Sequence, residues 1–169
     1  CWIREMSGPG GHTLEVIVGR KLTHRGLTIA LAESCTGGLV SHRVTDVPGS
    51  SAYYLGSIVA YSNAAKEGLL CVRRSTLDLH GAVSEQTARE MARGVNARLG
   101  ADIGLAVTGI AGPMSDDTDK PVGLVYVALA TADREVSECH VWEGDRWENK
   151  ARSAEAVLDL LNRYLDDGV

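Results

Sequence analysis

The sequence contains no phenylalanine, no long hydrophobic run and no cluster of lysine and arginine. Because no apolar stretch approaches about 20 residues, no segment predicts a membrane-spanning helix. The formal charge of −5 and the scattered basic residues exclude the positive patch that nucleic acids and anionic membranes require. We therefore expect no nucleic-acid or membrane partner, and a small molecule as the ligand.

Metal-binding and disulfide patterns are also missing. The four cysteines lie far apart without a Cys-x-x-Cys pair, and the five histidines never stand at metal-ligand spacing. In a domain of this size, so few scattered cysteines predict reduced thiols rather than a disulfide scaffold. The first 14 residues are too polar for a secretory leader. We expect a cytoplasmic protein that holds no metal and no cofactor.

The length and composition indicate a single globular domain. The chain has 169 residues, of which 44% are hydrophobic, and this is enough for a sizeable core. Residues 1–11 carry Gly and Pro without periodicity and predict a disordered or tag-like lead. The domain is therefore expected to span residues 12–169.

Helical and strand-like segments alternate along this domain. Apolar runs at 27–32 and 102–108 lack helical periodicity and predict strands that are covered on both faces. Two later strands are joined by a short link and are expected to pair as an antiparallel hairpin. The alternation predicts a three-layer α/β/α domain with a mixed, mainly parallel sheet. Ligands bind such sheets at the carboxyl edge, where the loops after the two apolar runs would meet.

The loop after the first apolar run offers the main candidates for chemistry. Ser34, Cys35 and Thr36 place two hydroxyls and a thiol in a row before Gly37 and Gly38. Ser and Thr in front of a helix most often serve as caps, so capping is the competing interpretation. In a catalytic loop, backbone N–H groups at the start of the helix can stabilise an oxyanion.

A serine nucleophile needs a base, and no histidine fits that role. Lys66 is the alternative, because a lysine desolvated against an apolar wall can lose its proton and accept one from a hydroxyl. The hydroxyls of Tyr61 and Ser51 are candidates to relay or orient the proton. A solvated Lys66 and a packing Tyr61 are the competing interpretations. Cys35 is the rival nucleophile, but no histidine partner activates it.

Seven short motifs occur in order along the chain. They are AESCTGG at 32–38, PGSS at 48–51, YSNAAK at 61–66, GAVS at 81–84, TGIAGP at 108–113, KPVG at 120–123 and GDR at 144–146. From about Leu14 to the end, the chain thereby resembles the C-terminal domain of the competence/damage-inducible CinA family. Stand-alone members are nicotinamide-nucleotide amidohydrolases. The resemblance implies metal-free hydrolysis of the carboxamide of nicotinamide mononucleotide to nicotinic acid mononucleotide and ammonia, by a homo-oligomer.

The resemblance also implies roles for individual residues. Ser34 matches the nucleophile, and Tyr61 and Lys66 match the activating pair. The substrate's phosphate needs cationic or N–H partners, for which Arg146 and the loop 109–112 are the candidates. The expected substrate-binding set is Ser51, Thr108, Gly109, Gly112, Arg146, Cys35, Thr36 and Gly37.

Two departures from the family pattern concern substrate affinity. Lys150 stands where the family commonly has a second arginine after Gly-Asp-Arg, which loses a bidentate donor. The loop 114–119 is acidic where the family loop is rich in glycine, and carboxylates beside a phosphate site weaken anion binding. The alternative function is a catalytically silent nucleotide-binding or scaffold domain linked to competence or the DNA-damage response.

Overall fold

The computed structural model describes residues 13–115 and 118–167. The lead expected at residues 1–11 lies outside the described residues. The described part contains six α-helices and five strands, in the order α1 Leu14–Arg25, β1 Ile29–Glu33, α2 Leu39–Thr45, β2 Tyr54–Val59, α3 Asn63–Leu70, α4 Arg74–His80, α5 Glu85–Leu99, β3 Ile103–Gly109, β4 Leu124–Ala130, β5 Glu135–Val141 and α6 Arg146–Asp167. None of these helices has the length and hydrophobicity needed to cross a bilayer.

The five strands form one sheet in the order β2-β1-β3-β4-β5. Strands β2, β1 and β3 run parallel, and β4 and β5 add an antiparallel hairpin at one side. Helices α1, α2 and α6 pack on one face of the sheet, and α3 to α5 pack on the other. The predicted α/β domain with a mixed sheet is confirmed.

The side-chain sizes in β1 and β3 set how closely the layers pack. All five residues of β1 are buried. Leu31 points to the layer of α1 and α6, whereas Ala30 and Ala32 face α5. Gly104 in β3 leaves room for the Ala92 carbonyl oxygen of α5, since a Cβ on Gly104 would lie 2.2 Å from that oxygen. Small residues on this face therefore allow α5 to lie directly on the sheet.

The register of the parallel strands brings their carboxyl ends to one edge of the sheet. Glu33, the last residue of β1, pairs with Val59 on β2 and with Val107 on β3. The loops that follow these three strands therefore start side by side. This edge is where an open α/β sheet binds its ligands.

Gly94 in α5 allows this helix to approach the end of α3, because a Cβ there would lie 1.9 Å from the Leu70 carbonyl oxygen. We predict that Gly94→Ala lowers the free energy of unfolding by about 1–3 kcal/mol, since the added methyl group forces the helices apart. Gly68→Ala in α3 is the matched control, because no atom lies within 4 Å of its added Cβ. Urea denaturation measures both variants, and equal effects would contradict this packing.

Candidate active site

Ser34 and Lys66 meet at the carboxyl edge of the parallel strands. Ser34 directly follows β1, and Lys66 lies near the start of α3, which the Ser62 hydroxyl caps by accepting a hydrogen bond from the Ala65 N–H at 3.1 Å. The Lys66 Nζ donates hydrogen bonds to the Ser34 Oγ and to the Ala60 carbonyl oxygen, both at 3.0 Å. The structure thus brings an amine and a hydroxyl, 32 positions apart in sequence, into direct contact.

Burial controls the charge of Lys66, whose side chain is among the largest fully buried ones and only 1% exposed. Loss of hydration lowers the pKa of Lys66, and the neighbouring Cys35 opposes this effect to a smaller extent. Both hydrogen-bond partners of the amine are neutral, and no carboxylate of residues 13–115 and 118–167 forms an ion pair with it. The site therefore favours the neutral amine that a general base requires.

Cys35 lies beside Ser34 and also faces the cleft above it. Burial raises the pKa of the Cys35 thiol to about 12. A thiol is a strong nucleophile only as the thiolate, so this environment leaves Cys35 unreactive at neutral pH. The structure favours Ser34 over Cys35 as the nucleophile.

Glu33 holds the loop that carries Ser34, a role that sequence reasoning missed. Its side chain is 1% exposed and accepts four hydrogen bonds. The donors are the Thr36 hydroxyl at 2.7 Å and the N–H groups of Gly38 at 3.0 Å, Val40 at 3.1 Å and Ser41 at 2.8 Å. These bonds tie the end of β1 to the start of α2. The only signal in the sequence was an acidic residue at the end of an apolar strand.

A cleft of about 390 Å³ opens over the Ser34–Lys66 pair. Five residues of the expected substrate-binding set line it, namely Cys35, Thr108, Gly109, Gly112 and Arg146. Thr108 is 1% exposed and donates a hydrogen bond to the Ala82 carbonyl oxygen at 2.8 Å. The loops after β1 and β3 therefore face one cleft, together with the loop between α4 and α5.

Ser51 does not reach this cleft, which corrects the expectation that it lines the site or relays a proton. It lies in the 3-10 turn Ser50–Ala52 before β2, and β2 begins opposite Ile29 at the start of β1. The full length of β1, about 17 Å, separates this edge of the sheet from Ser34. Ser51 and Ser34 therefore lie at opposite edges of the same sheet.

Thr36 and Gly37 also lie outside the residues that line the cleft. The Thr36 hydroxyl donates to Glu33, and Thr36 is only 1% exposed. The Gly37 N–H donates to the Ser34 carbonyl oxygen at 3.1 Å. Gly37 therefore cannot offer that N–H to an oxyanion without losing this bond, contrary to expectation.

Tyr61 and Arg146 lie at the mouth of the cleft. Tyr61 is 63% exposed, and its hydroxyl accepts a hydrogen bond from the Arg146 guanidinium at 3.2 Å, rather than contacting Lys66. Arg146 also donates to the Gly112 carbonyl oxygen. Both partners are neutral, and no carboxylate in the described part of the chain pairs with Arg146. A guanidinium at the mouth of the cleft can attract an anionic group of a ligand.

Asn149, which sequence reasoning also missed, fixes the loops around Arg146. It is fully buried, and its side-chain amide donates to the carbonyl oxygens of Ala111 at 3.1 Å and Gly144 at 2.9 Å. Its Oδ1 accepts from the Gly144 N–H at 3.0 Å. The amide therefore joins the loop after β3 to the loop before α6. Nothing in the sequence distinguished this asparagine from a solvated helix residue.

The described residues hold no group of three or more His, Cys, Asp or Glu side chains placed to bind a metal ion. The fold and the site define an open α/β domain with a buried serine–lysine pair at the carboxyl edge of its sheet. Residues 11–165 match the family model described as the CinA C-terminal domain. The chain belongs to the CinA family, which confirms the resemblance seen in its motifs.

Two curated relatives illustrate the similarity. The putative competence-damage inducible protein of Halothermothrix orenii is 54% identical over 149 residues, which cover 88% of this chain and 36% of that protein. A CinA-like protein of Syntrophomonas wolfei is 46% identical over 98% of this chain and 40% of its own length. The chain thus spans less than half the length of these relatives.

Solved structures of similar length share the fold. A CinA superfamily protein of Klebsiella pneumoniae has a TM-score of 0.88 at 33% identity, covering 90% of this chain and 95% of that one. The competence/damage inducible protein CihA of Agrobacterium tumefaciens has a TM-score of 0.86 at 37% identity, covering 95% and 99%.

Lys66→Met tests the buried amine through stability. Because burial lowers the pKa of Lys66 below the unfolded value of about 10.4, folded wild type binds fewer protons than unfolded wild type between the two pKa values. Its free energy of unfolding therefore rises with pH in that window. The difference in the free energy of unfolding, Lys66→Met minus wild type, should therefore decrease as pH rises in that window, by at most about 1.4 kcal/mol per pH unit.

Urea denaturation of both proteins between about pH 7 and pH 10 measures this difference. The other titrating groups are common to both proteins, so their contributions cancel in the difference between the two free energies of unfolding. Loss of the hydrogen bonds made by Lys66 adds an offset that is independent of pH, so the slope is the relevant quantity. A difference that stays constant with pH would show that burial does not shift the pKa of Lys66.

Proposed function

We propose that the chain hydrolyses the carboxamide of nicotinamide mononucleotide to nicotinic acid mononucleotide and ammonia. The observation that carries this proposal is the 3.0 Å contact between the buried Lys66 amine and the Ser34 hydroxyl. The choice of substrate comes from the resemblance to stand-alone CinA members. The names of the relatives mention competence and damage induction and no reaction.

In the first step, Ser34 Oγ attacks the carbon of the carboxamide. The neutral Lys66 amine accepts the hydroxyl proton along the contact seen in the structure. The carbonyl oxygen becomes an oxyanion, which needs N–H donors beside Ser34. The Cys35 N–H is the candidate on this side of the cleft, since the Gly37 N–H is already bonded.

In the second step, the C–N bond breaks and protonated Lys66 returns its proton to the departing nitrogen, which leaves as ammonia. The nicotinoyl group remains as an ester on Ser34 Oγ. Water then attacks this ester, with Lys66 again as the base, and releases the carboxylic acid and the free hydroxyl. The whole cycle consumes one water and needs no metal.

The phosphate of the substrate would bind at the mouth of the cleft. Arg146 is the proposed partner, because it lines the cleft and its acceptors among the described residues, the Tyr61 hydroxyl and the Gly112 carbonyl, are neutral. A phosphate could replace the Tyr61 contact and form charge-assisted hydrogen bonds. In this proposal Tyr61 orients Arg146 and covers the substrate, since the hydrogen bond of its hydroxyl goes to Arg146 and not to Lys66 or Ser34.

A second candidate function is a silent nucleotide-binding or scaffold domain. The relatives' names, which refer to competence and damage, favour it. Ammonia release from nicotinamide mononucleotide separates the two candidates. A folded protein that releases no ammonia would support the scaffold.

Ser34→Ala and Lys66→Arg should each lower kcat by about a thousandfold or more, because the members of one nucleophilic unit fail together. A guanidinium stays protonated and cannot act as the base. Cys35→Ser is the control and should retain activity, since the Cys35 thiol is protonated at neutral pH. Ammonia release measures all three variants. Loss of activity in Cys35→Ser with activity retained in Ser34→Ala would reverse the assignment of the nucleophile.

Arg146→Ala should raise KM by about tenfold to a hundredfold with a smaller effect on kcat, since a phosphate contact binds substrate and transition state alike. Arg134→Ala is the matched control, because Arg134 is exposed in the turn between β4 and β5 at the other edge of the sheet. Steady-state kinetics with nicotinamide mononucleotide provide both constants. An effect confined to kcat would argue against a role in phosphate binding.

A further inference from the structure

Two of the seven motifs, GAVS at 81–84 and KPVG at 120–123, have no role in the reaction described above. The structure brings them into contact through Lys120. The Lys120 Nζ donates to the carbonyl oxygens of His80 and Val83, both at 2.6 Å. The lysine thereby clamps both ends of the loop between α4 and α5.

Side chains also hold the two carbonyls between these ends. The Gly81 carbonyl oxygen accepts from the hydroxyls of Thr87 at 2.8 Å and Ser84 at 3.2 Å. The Ala82 carbonyl oxygen accepts from the Thr108 hydroxyl at 2.8 Å. Four consecutive carbonyls, from residue 80 to residue 83, are therefore fixed by side-chain donors.

The orientation of the carbonyls determines where the N–H groups of this loop point. In a trans peptide the N–H points opposite to the C=O. The Ala82 N–H therefore points away from Ser84 and Thr87, which lie outside the cleft lining, whereas the Val83 N–H points away from Thr108, which belongs to that lining. Neither N–H donates a hydrogen bond within residues 13–115 and 118–167. Both residues line the cleft that also contains Ser34 and Lys66. Backbone donors without a protein partner are satisfied by water or a ligand.

The opposite wall of the cleft is formed by the loop after β1, where several backbone N–H groups are already hydrogen-bonded within the protein. The Ser34 N–H donates to the Val107 carbonyl oxygen at 3.0 Å. The N–H groups of Gly37 and Gly38 in this loop are occupied as well, since they donate to the Ser34 carbonyl oxygen and to the Glu33 carboxylate. Of the two residues of this loop that line the cleft, Ser34 and Cys35, it is Cys35 whose N–H donates to no other residue in the described part of the chain. Serine hydrolases of the α/β class commonly combine the N–H after the nucleophile with an N–H from another loop.

We propose that the N–H groups of Ala82 and Cys35 form the oxyanion hole from opposite walls of the cleft, and that Lys120 is the positioning residue that holds the Ala82 loop in place. The ligand they would take is the carbonyl oxygen of an amide as it becomes an oxyanion. The loop is close to the nucleophile because Thr108, which anchors Ala82, comes directly after Val107 near the end of β3, and Val107 pairs with Glu33, the residue before Ser34. This inference rests on the proposed amidohydrolase function.

Ala82→Pro removes one N–H donor. The ψ of Gly81, 172°, is compatible with a following proline, because it lies outside the helical range that proline disfavours in the preceding residue. The φ of Gly81 is 78°, which glycine adopts readily. We expect kcat to fall by about 10²–10³-fold, as for loss of one oxyanion donor. Binding of nicotinamide mononucleotide, measured by calorimetry in a Ser34→Ala background, should change by less than about threefold, because the donor acts mainly on the transition state. Ala132→Pro, in the exposed turn between β4 and β5, is the matched control and should keep wild-type kcat.

Lys120→Met provides a second test that keeps every backbone N–H. Releasing the loop should lower kcat by about 10–100-fold through misplaced donors, again with little change in binding. Lys120→Arg should recover much of the loss, since a guanidinium can bridge the two carbonyl oxygens. If thermal melting shows that Ala82→Pro is unfolded, the comparison of Lys120→Met with Lys120→Arg tests the oxyanion role instead.

The outcomes separate this inference from the proposed function. A folded Ala82→Pro with kcat within about threefold of wild type, or a Lys120→Met defect that appears wholly in binding, would overturn the oxyanion role. Ser34→Ala would still be inactive in that case, and the amidohydrolase would stand. Wild-type protein that releases no ammonia would overturn both.

Discussion

The burial of one lysine amine without a carboxylate partner is the constraint on which the rest of the site depends. Water stabilises an ammonium strongly, so a side chain that is 1% exposed must either find a counter-charge or tend to lose its proton. Among the described residues, the hydrogen-bond partners of the Lys66 amine are a hydroxyl and a carbonyl oxygen. The domain therefore has to hold α3 firmly, because rotation of this short helix would return the amine to water.

Both ends of α3 are in fact anchored. The Ser62 side chain caps its start. At its end, Cys71 adopts a φ of 56°, a left-handed conformation that costs a residue with a Cβ about 1–2 kcal/mol. Arg98 of α5 donates to the last carbonyls of the helix, those of Gly68 at 3.0 Å and Leu69 at 2.9 Å. Close packing of α5 on α3 and on the sheet thus fixes the base relative to the nucleophile.

Much of this arrangement follows from sequence, and the failures have physical causes. Hydrophobic pattern predicted the strands, and the chemistry of hydroxyl and amine side chains singled out Ser34 and Lys66. Ser51 was misplaced because the order of motifs along a chain does not say at which edge of a sheet each one lies. A parallel strand begins at the edge opposite to the one where its neighbour ends, so the turn before β2 cannot meet the loop after β1. Glu33 and Asn149 were missed because their roles exist only through backbone groups that folding brings to them.

The two buried ionisable side chains next to Ser34, those of Glu33 and Lys66, form their hydrogen bonds with different parts of the fold, and this separation allows the proposed chemistry. Glu33 accepts from four neutral donors on the side of α2, so its hydrogen-bonding capacity is used without Lys66. A direct ion pair between them would stabilise the ammonium and remove the base. The same reasoning applies to Arg146 and Lys150 near the start of α6, since no carboxylate of the described residues forms an ion pair with either of them. A lysine at position 150 lacks the planar, bidentate guanidinium of an arginine but keeps the positive charge. That charge lies beside the loop at Gly37, since a Cβ added to Gly37 would lie 3.9 Å from the Lys150 Nζ. The change therefore bears on how firmly the proposed phosphate is held, while the Ser34–Lys66 pair is left intact.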